Sequence, residues 1–316
     1  MFDAGSPSDA AVTRPPAPLA PAALQRARGK VQVGVKADGP VSRLAHLYQA
    51  GSAKCILPKV EGGGVEAVFV NTAGGITGGD SLVYEASAAV DAALTVTTQA
   101  AERVYRAAPA TGDGALTARI TLAENAYLDW LPQETILFEG GRLRRRVEVT
   151  MPETARLLAL ESTVLGRRAM GERVETGAFL DHWRVRRGGR LVFADAIRLS
   201  EPIHAATSGP ATLGGARAWA SLLYVAPDAE DRLDAARLLL GKAAVLAAEP
   251  TASALPLEGV EELGDGYRPS IEWGASCWDG ILFIRLLASH GAPLRRVLRA
   301  FLPEFRGVPL PRVWSQ

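Results

Sequence analysis

Residues 71–80 read NTAGGITGGD, two glycine pairs closed by Asp80 directly after the apolar run VEAVFV. A glycine-rich turn after a strand is a setting in which backbone amides can cradle a phosphate, but that chemistry makes further demands. A Walker A loop needs a lysine and a hydroxyl residue after its last glycine. Here Asp80 holds that place, and a carboxylate repels phosphate. The dinucleotide spacing G-x-G-x-x-G is absent too, and SLVYEASAAV beyond the loop alternates like a strand instead of opening a helix. These residues argue against nucleotide binding. Gly74, Gly75, Gly78 and Gly79, with Asn71 and Thr72, also fit a motif that lets two strands approach and turn, and Asp80 then hydrogen-bonds the turn amides.

Other groups could do acid–base or metal chemistry. Glu102 lies in TTQAAERVYR, and Glu134 follows Pro132 and Gln133 between the apolar stretches WL and TILF, where a carboxylate is expected to be buried. If the two faced one cleft they could serve as acid and base in a hydrolase. The softer ligands are His46, His182, His204, His290, Cys55 and Cys277, none paired at HxH, HxxxH or CxxC spacing, so a tight metal site is not expected. Cys277 is expected to open a helix, which lowers a thiol pKa, although a small packed side chain is the alternative. In GRLRRRVEVT, alternation puts Arg142, Arg144 and Arg146 on one strand face and Leu143 with Arg145 on the other.

The elements that must position these residues are mostly strands. From Val31 onward the sequence alternates with period two in VQVGVK, VEAVFV, SLVYEASAAV, ALTVTTQ, LTARITL, AYLDWL, TILF, RRVEVTM and AWASLLYV, at the spacing of antiparallel sheets. HWRVRRGGRLVFADAIRL reads as a hairpin turning at Gly188 and Gly189. Helix signals fall in the last third. One helix is expected over DRLDAARLLLGKAAVLAA, capped by Asp228. A second is expected after Ser276 and Asp279 in ILFIRLLASHG, stopping at Gly291, and a short third after Pro293. The expected fold is mainly β, a large antiparallel or β-helix-like sheet structure with about two C-terminal α-helices. It forms a single domain over 30–316 behind a disordered Ala/Pro-rich tail over 1–29.

Composition narrows the function. The chain has 316 residues and is 48% hydrophobic, enough for a sizeable core. Thirty-five basic against thirty-four acidic residues give a net charge of +1, without the electrostatic footprint of a nucleic-acid binder. Two distant cysteines give no disulfide framework, and neither a signal peptide nor a membrane span is legible, so a cytoplasmic protein is expected.

NTAGGITGGD closely resembles the signature of the urease accessory protein UreD (UreH) family. GSAKCILP, TTQAAERVYR, WLPQETILF, LGRRAMGE, DHWRVRRGGRLVFAD, ASCWDG and LPRVW resemble that family's further blocks, in its order, across nearly everything after residue 25. The resemblance implies a largely β fold with two helices and a scaffold that is not an enzyme. Such a scaffold binds apo-urease and recruits UreF, and through it the GTPase UreG, for GTP-dependent nickel insertion. GTP would then be bound by UreG, with no cofactor held tightly here and nickel only in transit. A dimer of heterodimers with UreF is consistent with that role. The resemblance also implies a water-filled passage for nickel, with Asp80, Gln99, Glu102, Glu134 and Glu172 as its expected polar lining. The leucine stripe of LLASHGAPLRRVLRAFL is the expected UreF-facing surface, the alternative being that it packs on the protein's own sheet.

Overall fold

The computed structural model describes residues 1, 25–60, 63–109, 111–248 and 271–315. Most of the tail expected over 1–29 lies outside these residues, and Arg28 and Gly29 already belong to the first strand. Strands β1 (Arg28–Asp38), β2 (Val41–Gly51), β5 (Ser81–Ala88), β8 (Gly114–Leu122), β11 (Arg142–Met151), β13 (Ala178–Arg187) and β14 (Arg190–Ser200) form a seven-stranded sheet in the order β14-β13-β11-β8-β5-β1-β2. The second sheet has ten strands. Its main path is β16 (Ile271–Trp278), β17 (Ile281–Ala288), β15 (Ala218–Val225), β12 (Arg156–Leu165), β9 (Tyr127–Leu131), β6 (Ala93–Thr98), β4 (Val65–Asn71) and β3 (Ala53–Ile56). The short strands β10 (Thr135–Leu137) and β7 (Glu102–Val104) branch from β12.

From β4 to β13 the chain passes back and forth between the sheets. Each passage adds one strand beside its predecessor, so the inner ladders are parallel: β1-β5-β8-β11-β13 in one sheet and β4-β6-β9-β12 in the other. This winding bears out the β-helix-like expectation. Antiparallel pairing is confined to the margins, including the β13–β14 hairpin, whose turn residues Gly188 and Gly189 have φ of +55° and +80°. Alternation shows which face of a strand is buried but not the direction of its neighbour, so parallel and antiparallel ladders read alike.

The ten-stranded sheet is covered on both faces. Val31, Tyr84, Leu94, Trp130, Val147 and Trp183 belong to the core between the sheets. Leu160, Leu222 and Ile284 face a second core with α2 (Leu233–Ala248) and α3 (Gly291–Arg306). Double burial explains β12: RLLALESTVL is apolar on both faces and gives no alternation to read. It also explains the main correction. ILFIRLLA is not a helix but β17, paired with β15 and β16, and Ser276 and Cys277 lie in β16. A short apolar run buried on both faces cannot be told from a helix by periodicity.

The helix follows that strand. Gly291 begins α3 rather than ending a helix, and α3 runs for sixteen residues, not a short segment after Pro293. Leu294, Val297, Leu298, Phe301, Leu302 and Phe305 are its buried stripe, each contributing roughly 1.5–3 kcal/mol by burial. Most of the apolar stripe considered for UreF thus packs on the protein's own sheet. Asp228 does not cap α2, which follows a 3-10 turn at Glu230–Arg232. Its carboxylate instead accepts from Tyr224 Oη and Arg156 Nη1. Among the described residues no helix is long and apolar enough to cross a membrane.

Candidate functional site: a buried polar centre between the sheets

Arg145 occupies the inward register of β11 beside Leu143, as alternation requires, and its side chain is 1% exposed. A guanidinium there must be neutralised and have its donors met. Asp181, on β13, accepts from Nε at 3.0 Å and from Nη2 at 2.7 Å. Glu161, on β12 across the core, lies 2.6 Å from Nη1, and Thr135 and Thr163 accept at 3.1 and 3.3 Å. Trp130 Nε1 donates to Glu161 at 2.9 Å and Trp183 Nε1 to Asp181 at 3.3 Å.

Beside this group lies a cavity of about 20 Å³ lined in part by Glu102, Gln133, Trp130, Arg145 and Glu161. That is room for about one water molecule or a small ion. Gln133 is 3% exposed, and both its amide nitrogen and its amide oxygen lack a hydrogen-bond partner. Two unmet polar atoms in a buried side chain mark a place that can take up a polar guest.

Charge points the same way. Arg145 carries one positive charge, while Asp181, Glu161 and Glu102 can each carry a negative one. Burial works against the charged guanidinium, but Asp181 and Glu161 more than offset this and hold its pKa above the ordinary value. Burial pushes Glu161 up to about 7 despite Arg145, with Asp181 adding to the rise. Burial pushes Glu102 up to about 7 as well, against the hydrogen bond from Asn71. Both carboxyls are therefore poised to exchange protons near neutrality.

The glycine motif has a part in this arrangement. Asn71 Nδ2 donates to Glu102 Oε1 and to the Gly75 carbonyl, each at 3.0 Å, so the loop orients the carboxylate at the cavity. Gly75 has a φ of +154°, and a Cβ there would come within 2.6 Å of the Arg103 carbonyl on β7. Thr72 Oγ1 donates to the Ser52 carbonyl, and Tyr105 Oη to that of Gly74 at 3.4 Å. Gly78 is crowded by Thr111 and Gly112, and Gly79 donates its amide to the Asp113 carbonyl. The loop leads from β4 in one sheet to β5 in the other.

Of the five residues expected along a passage, Glu102 alone is among those lining this cavity. Asp80 is 7% exposed and accepts from the amides of Ala27 and Thr77 at 2.8 Å, the turn-stabilising alternative. The Gln99 amide donates to the Phe69 carbonyl. The Glu134 carboxylate reaches Arg295 on α3 at 3.7 Å, toward the helical face, so Glu102 and Glu134 do not share a cleft. Glu172 receives Arg167 Nε at 2.8 Å and the amides of Glu139 and Arg167, closing the 166–173 loop.

The cysteines lie apart from this centre. Cys277 lies on a strand and burial raises its pKa, contrary to the helix-terminus idea, while burial pushes Cys55 to about 11. Among the described residues no group of three or more His, Cys, Asp or Glu is arranged to hold a metal ion. Arg145, Gln133, Glu161 and Asp181 did not stand out in the sequence as site residues. The available signal was charge in an inward register: Arg145 beside Leu143, Asp181 between Phe179 and Trp183, and Glu161 within an apolar run.

The family model described as UreD urease accessory protein matches residues 27–315. A urease accessory protein UreD of Xanthobacter autotrophicus is 46% identical over 291 residues, covering 92% of this chain and 91% of that protein. Those of Azorhizobium caulinodans and a Methylobacterium species are each 43% identical, covering 92% of this chain and 97% and 95% of theirs. A match over nearly the whole length, including every strand that builds the buried centre, means that this chain belongs to the UreD family of urease accessory proteins.

Proposed function

We propose that this chain is a non-catalytic maturation subunit of urease. In this reading it binds apo-urease, joins UreF and, through it, the GTPase UreG, and gives nickel a route through its buried polar centre during GTP-dependent insertion. The observation that carries the conduit is the cavity where Glu102 and Glu161 meet the partnerless amide of Gln133. Its size suits water or a small ion and is far below that of an organic substrate pocket. Oxygen donors and no preassembled ligand cluster suit a passing divalent cation, since transit needs binding weak enough to release.

Arg145 sets the balance. Its charge offsets part of that on Asp181 and Glu161, so the centre attracts a cation without trapping it. A divalent ion arriving at pH 7 displaces protons from Glu102 and Glu161, and transit is therefore favoured as pH rises through about 7.

The test is the nickel content of urease assembled with Glu102→Gln, Glu161→Gln and Gln133→Leu variants under scarce nickel. Loading should fall while the maturation complex stays intact. Full nickel content with all three variants would retire the conduit, and failure of the wild-type chain to associate with urease or its maturation proteins would retire the scaffold.

A further inference from the structure

A second cluster lies at the end of the ten-stranded sheet where β12 and β17 finish and β15 begins. The Leu165 amide donates to the Arg217 carbonyl at 2.7 Å and the Arg217 amide to that of Ala288 at 3.0 Å, aligning the three strands. The 166–173 loop leaves from this edge. So does α3, packed so closely that a Cβ on Gly291 would lie 3.1 Å from Val164 Cγ2. Its N-cap is His290, whose Nδ1 accepts from the Ala292 amide at 3.3 Å.

The side chains gathered here are basic. Arg217 donates to the carbonyls of Leu165 and Glu172, and Arg296 to the carbonyl of Ala247 at 2.8 Å. A carbonyl accepts the hydrogen bond but supplies no net charge. The nearby Glu172 is occupied by Arg167 and by backbone amides. Arg173 has only a loose, exposed pairing with Glu175 at 3.6 Å, and Arg168 is exposed. Among the described residues no carboxylate forms an ion pair with Arg168, Arg217 or Arg296. The effect is felt at His290. Burial, and then Arg168, Arg296 and Arg217 together, hold its imidazole down to about 4, so it stays neutral at the helix terminus.

We infer that Arg168, Arg173, Arg217 and Arg296, gathered around the N-terminus of α3, form a docking surface for a carboxylate-bearing segment of a partner protein. Guanidinium forks match carboxylates in planarity and spacing, and the helix dipole adds attraction for negative charge. Arg168 and Arg173 are exposed and Arg217 and Arg296 half-buried, so an acidic segment lying along the cluster reaches them from solvent. A net charge of +1 over the chain disfavours nucleic acid as the occupant. This inference rests on the scaffold reading, since it supplies that scaffold with one of its contacts.

The test uses the full-length chain with purified apo-urease, UreF and UreG. Arg168→Glu with Arg173→Glu should weaken binding of one of these proteins by about tenfold and flatten its salt dependence, with an unchanged melting temperature. Arg190→Glu with Arg198→Glu, on β14, makes the same change in net charge and should leave affinity unaltered. If the first pair melts early, Arg168→Glu alone carries the test, with roughly a threefold loss expected. Wild-type affinity in the charge-reversed chains, or an equal loss in the β14 control, overturns the inference and leaves the scaffold standing. Binding of single-stranded RNA abolished by the reversal, with protein binding intact, overturns it in favour of nucleic acid. A wild-type chain that holds none of the three proteins overturns both readings.

Discussion

Arg145 and Arg306 are both buried and both paired with a buried carboxylate, yet they sit in different surroundings. Arg306, at the end of α3, meets Asp129 at 2.6 Å on the helical face of the ten-stranded sheet. Tyr127 Oη donates to the other carboxylate oxygen at 2.6 Å, and Thr95 and the Pro309 carbonyl accept from the same guanidinium. The guanidinium donors all find acceptors, so this pair works as a clamp. Arg145 has two carboxylates, a cavity and a partnerless Gln133 beside it. The difference lies in what the pairing leaves over: around Arg306 the donors and acceptors of the pair are met, while a second fully buried carboxylate and unmet amide atoms remain beside Arg145.

The largest effect should come from Arg145→Met. It leaves Asp181 and Glu161 buried without their cation and should cost about 3–5 kcal/mol, read as a lower urea midpoint. A loss below about 1 kcal/mol would show that the centre is no more than a packed core. Next comes Glu102→Gln. Because burial raises the carboxyl in the folded chain from the ordinary value of 4.5 to about 7, its favourable protonation is fully present below 4.5 and lost as pH rises through about 7. The variant should therefore gain about 3 kcal/mol over wild type between pH 4.5 and 8, followed by urea unfolding across that range. Parallel pH curves for the two proteins would remove Glu102 from the titrating group.

Asp80→Ala should cost about 1–3 kcal/mol by orphaning the amides of Ala27 and Thr77, while nickel loading of urease stays normal. Reduced loading in an equally stable variant would return Asp80 to the passage. The smallest effect is expected on the clamp. Replacing Arg306 and Asp129 together with Met and Leu should shift stability by no more than about 1 kcal/mol and leave nickel delivery unchanged, by melting and metal analysis. Loss of delivery without loss of stability would erase the distinction between the two arginines.

The legible part of this molecule is the part with one buried face. β1, β5, β8 and β11 alternate as written, and the inward position of Arg145 follows from the same count. β12 and β17 did not alternate because cores cover both their faces, and β12 carries Glu161. The NTAGGITGGD loop was legible as a motif but not as a hinge orienting Glu102, since Asn71 and Glu102 meet only once the sheets are stacked. Glu134 lies beside Glu102 through the backbone, where the Glu102 amide donates to the Glu134 carbonyl, yet its side chain turns to the opposite core. No pattern in a single sequence reports that turn.

The back-and-forth winding also imposes a schedule on synthesis. Glu102 emerges from the ribosome long before Glu161, and Asp181 later still, so Arg145 must wait for β12 and β13, which bring both of its counter-charges. A nascent chain halted before β12 holds an uncompensated cation where the finished protein holds an acidic chamber. The buried centre is therefore complete only once β13 has joined the sheet.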